Sequence, residues 1–276
     1  MDLGELNGPV LVFGGPYSNL SATREMKRIA EQQGIPAASV ICTGDLVAYC
    51  ADPTETVSLI REWGCHVVMG NCEESLAASA PDCGCGFDKG SACSLLSVQW
   101  YAYANNKVSP EQKSWMGGLP RQLRFSLSGR QFHVLHGSVT SINEFIFAST
   151  DHGYKAKQQQ SVSAEVIIGG HSGLPFVSAT PEGYWLNAGV IGMPANDGTS
   201  DCWYMLLEPQ AEGIKASWHR LTYAVNETVE SMKKAEISAA YATCLQNGLW
   251  PSLDILPEQE KRQTGKAIEL RPILIR

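Results

Sequence analysis

The chain has 276 residues, 44% of them hydrophobic, and a formal net charge of -7. That is enough apolar material for one large domain, and an acidic balance without a Lys/Arg-rich run argues against nucleic acid as a partner. The opening MDLGELNGPVLVF has no basic stretch before its short apolar run, no apolar run approaches the roughly 18 to 20 residues that span a bilayer, and the nine cysteines are an odd count. A cytoplasmic protein with no membrane partner is expected, its cysteines serving as thiols or metal ligands rather than as a disulfide framework.

In chain order, short β-branched runs predict strands over residues 9–13 (PVLVF), 39–45 (SVICTGD) and 66–71 (HVVMGN). Between them, SATREMKRIAEQQG and DPTETVSLIREWG have helical periodicity and closing glycines. The N-terminal part therefore reads as βαβαβ. Further strands are expected over 132–138, 165–172 and 184–190, and then a hairpin of WYMLLE with IKASWHRL. This α/β layout predicts two packed sheets with helices outside. Residues 1–225 are expected to form the main body. Residues 226–276 are expected to add one or two amphipathic helices and a Pro-punctuated tail packing on it.

Polar residues stand where strands end: Asp45 after SVICTG, Asn71 after HVVMG, His136 after FHVL and His171 after EVIIGG. Ligands of open α/β folds collect beyond the C-terminal ends of strands. One carboxylate, one amide oxygen and two imidazoles suit Zn, Mn or Fe better than Ca. Each residue taken singly has a plainer reading, as a helix cap, a turn residue or a core histidine; their recurrence at four strand ends sets them apart.

GDLVAYCADPTETVSLI, VVMGNCEESL, VLHGS, GGHSGLPF and LNAGVIGMP, in this order within residues 9–208, resemble the calcineurin-like metallophosphoesterases, in their small bacterial phosphodiesterase branch. The resemblance implies a four-layer αββα sandwich and phosphoester hydrolysis at two metals held by D-x-H, G-D, G-N-H-[DE], a lone His and G-H-x-H. It also shows departures. Laid on the pattern, VFGGPYSNLSA matches D-x-H-G-N at Asn19 alone, with Gly15 in place of the Asp and Tyr17 in place of the His. Cys72 replaces the His of G-N-H, and Gly173 replaces the second His of G-H-x-H. By this resemblance Asp45, Asn71, His136 and His171 are the full protein set of one metal, and the ligands of the other are gone.

Tyr17 is either a half-buried aromatic or a hydrogen-bond donor to an oxyanion where the second metal sat. Cys72 is a soft ligand, a nucleophile or a small filler. Cys83, Cys85 and Cys93 follow in PDCGCGFDKGSAC, either as structural thiols or as an additional metal or redox site reaching the vacated half; C-x-C is a looser match to zinc spacing than C-x2-4-C. Asn143 and Glu144 are either substrate contacts or residues of a surface loop, Asp151 with His152 reads as a turn, and His66, His133 and His219 read as packing residues or as supports behind the ligands.

The expectation is one transition metal per chain, without a dependable second, acting on a small phosphomonoester or phosphodiester. A non-catalytic protein binding a metal or an oxyanion such as phosphate or arsenate is the alternative, as is a rebuilt cysteine-containing centre with other chemistry. A homo-oligomer is left open.

Overall fold

The computed structural model describes residues 1–276, and its first two strands, β1 (Asp2–Leu6) and β2 (Val10–Phe13), enter different sheets. From β2 the chain runs through α1 (Leu20–Gln32), β3 (Val40–Cys42), α2 (Pro53–Trp63) and β4 (His66–Val67). These strands pair in parallel, Leu11 beside Val40 and Ile41 beside His66, so the expected βαβαβ unit is present. Asn19 starts α1 by accepting the Ala22 N–H at 3.1 Å, and Gly64, at φ 73°, ends α2 in the left-handed conformation.

Three helices follow, α3 (Asn71–Ala77), α4 (Ala92–Lys107) and α5 (Pro110–Gly117). The hairpin of β5 (Gln122–Leu127) and β6 (Arg130–Leu135) then leads to α6 (His152–Val162), β7 (Val166–Gly169), β8 (Phe176–Thr180) and β9 (Gly183–Asn187). β10 (Cys202–Gln210) and β11 (Gly213–Leu221) form the predicted second hairpin, followed by α7 (Val225–Lys234), α8 (Ala239–Asn247), α9 (Glu258–Lys261) and β12 (Ile273–Ile275). One sheet has the order β1-β5-β6-β7-β9-β8 and the other β12-β11-β10-β2-β3-β4.

Side-chain alternation along the strands shows how the layers stack. Val10 and Val12 of β2 join Ile41, Phe132, Val166, Ile168 and Met205 in a core between the two sheets. Leu11 and Phe13 point the other way, into a larger core with Met26, Val57 and Ile60 of α1 and α2. Ile167 of β7 packs with Ala164 and Trp185 in a third cluster, which Tyr154 and Val162 of α6 border. Helices, sheet, sheet and helix in that order are the αββα sandwich. No helix is long and apolar enough to cross a membrane.

The structure corrects several readings. The predicted strands stop short of the polar residues, which lie in the loops beyond them; β4 keeps only His66 and Val67, and Asn71 is the first residue of α3. β1 was not expected, because its alternation is interrupted by Gly4 and Glu5. The tail is not only a wrapping segment: Ile275 pairs with Ile214, adding β12 to the edge of the sheet. Asp151 is a helix cap rather than a turn residue, its carboxylate accepting the Tyr154 N–H at 2.8 Å.

Candidate metal centre

Beyond β3, β4, β6 and β7 the chain turns sharply. Asp45 and His171 adopt φ of 58° and 55°, and Tyr17 and Ser18 near the end of β2 have φ of 51° and 57°. Left-handed backbone at a non-glycine residue costs on the order of 1 kcal/mol and concentrates at functional sites. Here it turns side chains from separate strands toward one point.

His136 is the hub of that point. Its Nδ1–H donates to the Thr43 carbonyl oxygen at 2.6 Å, which in the neutral ring leaves Nε2 as a lone pair. Around Nε2 lie Asn71 Oδ1 at 3.1 Å, Asp45 Oδ2 at 3.2 Å and His171 Nδ1 at 3.2 Å. The Asn71 amide is oriented because its Nδ2–H donates to the Cys83 carbonyl at 2.9 Å, so that the oxygen faces inward. Four basic atoms therefore converge, all on buried residues. Such spacing matches the edge between ligands lying about 2.0–2.2 Å from one cation. Asp45, His136 and His171 place their ligand atoms within 4.8 Å of one another, and the mixed O/N set fits a divalent transition metal.

Charge has the same focus. Burial opposes ionisation of Asp45, yet the neighbouring His136 holds its carboxyl below the usual range. Burial likewise disfavours a charged His136, but Asp45 raises its pKa overall. For His171, burial and then His136 push the pKa down to about 3, so this ring is neutral. Its Nε2 is buried without a hydrogen-bond partner, and the Phe145 ring stacks on it at a centroid distance of 4.1 Å.

The sequence reading passed over Glu73, which binds the loops together. This fully buried carboxylate accepts the backbone N–H groups of Asp45 (2.8 Å), Leu46 (2.8 Å) and Gly70 (2.9 Å). Burial and the Asp45 charge push its pKa up to about 7, against the pull of those donors. Its signal was present as the acidic residue of the G-N-H-[DE] pattern.

The opposite half of the site is filled with carbon. A Cβ on Gly15 would lie 2.5 Å from Tyr17 Cζ and 2.7 Å from Val190 Cγ1, so the Tyr17 ring occupies the space an aspartate there would need. A Cβ on Gly173 would meet the Trp250 ring at 3.4 Å, with the Tyr17 hydroxyl 4.0 Å away. Tyr17 and Trp250 line a cavity of about 60 Å³ together with Asp45, His171, Phe87 and Phe145. No lysine or arginine lines it.

Of the remaining candidates, the cysteines border the site and the others have partners of their own. Cys72 is the second residue of α3 and buried; its N–H donates to Asp45 Oδ1 at 3.2 Å, while burial and the Asp45 charge push its thiol pKa well up. Cys83 and Cys85 are joined as a disulfide, and Cys85 and Cys93 line the cavity. Asn143 donates to the Gly84 carbonyl at 3.0 Å, and Glu144 accepts from the Tyr154 hydroxyl at 2.6 Å. His133 bonds Gln122 Oε1 at 2.8 Å, and His219 bonds Ser217 Oγ at 2.8 Å. Asn187 ties the β9 loop to the His171 loop through the Gly170 carbonyl and the Ser172 hydroxyl, both at 3.0 Å. Trp250 and Tyr241 reach the cavity from the C-terminal extension, a contact no local pattern announces.

Comparison with known proteins gives a family match and two folds. A profile described as the calcineurin-like phosphoesterase superfamily domain matches residues 18–212. The uncharacterized protein MJ0912 of Methanocaldococcus jannaschii is 25% identical over 243 residues, covering 82% of this chain and 92% of that protein. Hypothetical protein PH1004 of Pyrococcus horikoshii superposes with a TM-score of 0.72 at 17% identity, covering 91% of this chain and 100% of that one. A metallophosphoesterase from Sphaerobacter thermophilus gives 0.67 at 20% identity, covering 88% and 100%.

Proposed function

We propose, from the premise that the chain belongs to the calcineurin-like phosphoesterase superfamily, that it hydrolyses small phosphodiesters with a single divalent metal. The observation that carries this reading is the convergence of Asp45, Asn71 and His171 on His136 Nε2, at 3.1 to 3.2 Å. Such close lone pairs need a shared positive charge, which a proton on His136 Nε2 supplies toward Asp45 and a divalent cation supplies to all four atoms. When bound, a divalent cation there supplies Lewis-acid polarisation of a phosphoryl oxygen and acidifies a water.

The side chains of the chain do the remainder. Thr43 fixes the His136 tautomer through its carbonyl, as hydrogen bonds behind ligating histidines generally do. The Tyr17 hydroxyl stands beside Gly173 at the cavity, where it donates to a phosphoryl or leaving-group oxygen in place of a second cation. Its proton stays in place, because burial and then the Asp45 charge push the Tyr17 pKa well up. Phe145 and Trp250 exclude water from the apolar side.

The lack of lysine and arginine in the lining favours a diester over a monoester. One divalent cation beside the Asp45 and Glu73 carboxylates is balanced by them, so no positive charge is left over for a bound phosphate, and a monoanionic diester costs less to bury there than a monoester dianion. Turnover of bis(4-nitrophenyl) phosphate and of 4-nitrophenyl phosphate by metal-reloaded protein tests this. The diester should be the better substrate, and His136→Ala should abolish both its turnover and metal retention. Preference for the monoester would refute the charge argument, and undiminished turnover in His136→Ala would refute the site.

A further inference from the structure

A loop rather than a strand orients Asn71. Cys83 and Cys85 are joined as a disulfide across Gly84, while the other seven cysteines are free. The Asn71 Nδ2–H, whose amide oxygen faces the cation site, donates to the Cys83 carbonyl at 2.9 Å and lies 3.3 Å from Cys85 Sγ. Asn143 holds the loop from the other side through the Gly84 carbonyl at 3.0 Å. Cys85 lines the same cavity as Asp45 and His171.

A disulfide that spans one residue restrains little of the unfolded chain, because disulfide stabilisation grows with the length of loop closed. Its effect falls instead on the local shape of the C-G-C turn, whose first carbonyl sets the Asn71 amide. Among the nine cysteines this pair alone combines a bond that can be cleaved, a wall of the cavity and a contact with the centre.

We propose that Cys83 and Cys85 form a reversible thiol–disulfide site, reached by a small dithiol through the cavity, whose oxidised form holds Asn71 ready for the cation. In the reductive direction a thiolate of the dithiol attacks Cys85 Sγ, the Cys83–Cys85 bond breaks and Cys83 leaves as a thiolate. The second thiol of the reagent then displaces Cys85 from the mixed disulfide and closes the reagent into its own disulfide. Two electrons pass to the pair, and two protons finish on Cys83 and Cys85. The freed turn no longer fixes the carbonyl at Asn71, and the cation is held less tightly.

This inference rests on the single-metal reading of the site, so the experiment separates the two. Thiols of unreduced, denatured protein are counted, and Co²⁺ binding to the folded protein is measured by calorimetry and absorbance before and after dithiol treatment and in Cys85→Ser. Seven thiols are expected without reduction and nine after it. Reduction should weaken Co²⁺ binding by about tenfold or more, the usual effect of losing a residue that orients a ligand, and Cys85→Ser should bind as weakly in either state. Nine thiols without reduction, or equal affinity in both states, would overturn the proposal. A thiolate-to-cobalt absorption band arising on reduction would also overturn it, by making the sulfurs ligands. Absence of Co²⁺ binding in both states would refute the single-metal reading and the coupling built on it, while the thiol count would still decide the redox state of the pair.

Discussion

Glu73 shows how one side chain sets the geometry of others. Its carboxylate gathers three backbone N–H groups from the Asp45 and Gly70 turns, and hydrogen bonds to a charged group contribute about 1.5–3 kcal/mol each. Glu73→Ala leaves those donors buried and unpaired, so urea unfolding should show a loss of at least about 3 kcal/mol, together with lost metal retention; a loss under 1 kcal/mol would mean that water replaces the carboxylate. Tyr17 is the matching case on the substrate side. Tyr17→Phe keeps the ring that fills the space beside Gly15 and removes only the donor. It should retain metal and stability while kcat falls about 100-fold; unchanged kcat would return Tyr17 to a packing role.

At the scale of elements, the strands deliver residues and the loops aim them. β6 buries Phe132 and Val134 between the sheets and carries His133 on the opposite face, with His136 just past its end. Burial, and then Arg124, hold the His133 pKa down at about 4. The unfolded chain takes up that proton at higher pH, so this residue favours folding above its unfolded value of 6.5 and loses the benefit as pH falls toward 4. In His133→Gln the drop in Tm between about pH 7 and about pH 5 should shrink by roughly 2–4 °C; an unaltered drop would assign the acid sensitivity to other groups. The strand-end positions of Asp45, Asn71, His136 and His171 were legible because each follows a short apolar run closed by a turn. The φ values near 55° at Asp45 and His171 were not, since the conformation is imposed by packing rather than by either residue's preference. Nor was the strand at Asp2–Leu6, whose pairing partner lies at Gln122–Leu127.

At the scale of the whole molecule, the C-terminal extension completes the site. Trp250 stands against Gly173, and Pro251, Ser252 and Ile255 close the same cavity, while β12 lies along the sheet edge at β11. The 225/226 division therefore separates stretches of sequence that share one site. Trp250→Ala should widen the cavity and lower KM for bis(4-nitrophenyl) phosphate; a raised KM would make the indole a substrate contact. The sandwich and the convergence of Asp45, Asn71, His136 and His171 could be read from the order of motifs, whereas the carbon packed beside Gly15 and Gly173 comes from residues far apart in sequence, Tyr17, Val190 and Trp250. The central claim is that one cation is held by Asp45, Asn71, His136 and His171 and that Tyr17 and Trp250 exclude a second. Elemental analysis by inductively coupled plasma mass spectrometry of metal-reloaded wild type and His171→Ala tests it directly. One equivalent per chain in the wild type, lost in the variant, is the predicted result; two equivalents, or one that survives His171→Ala, would contradict it.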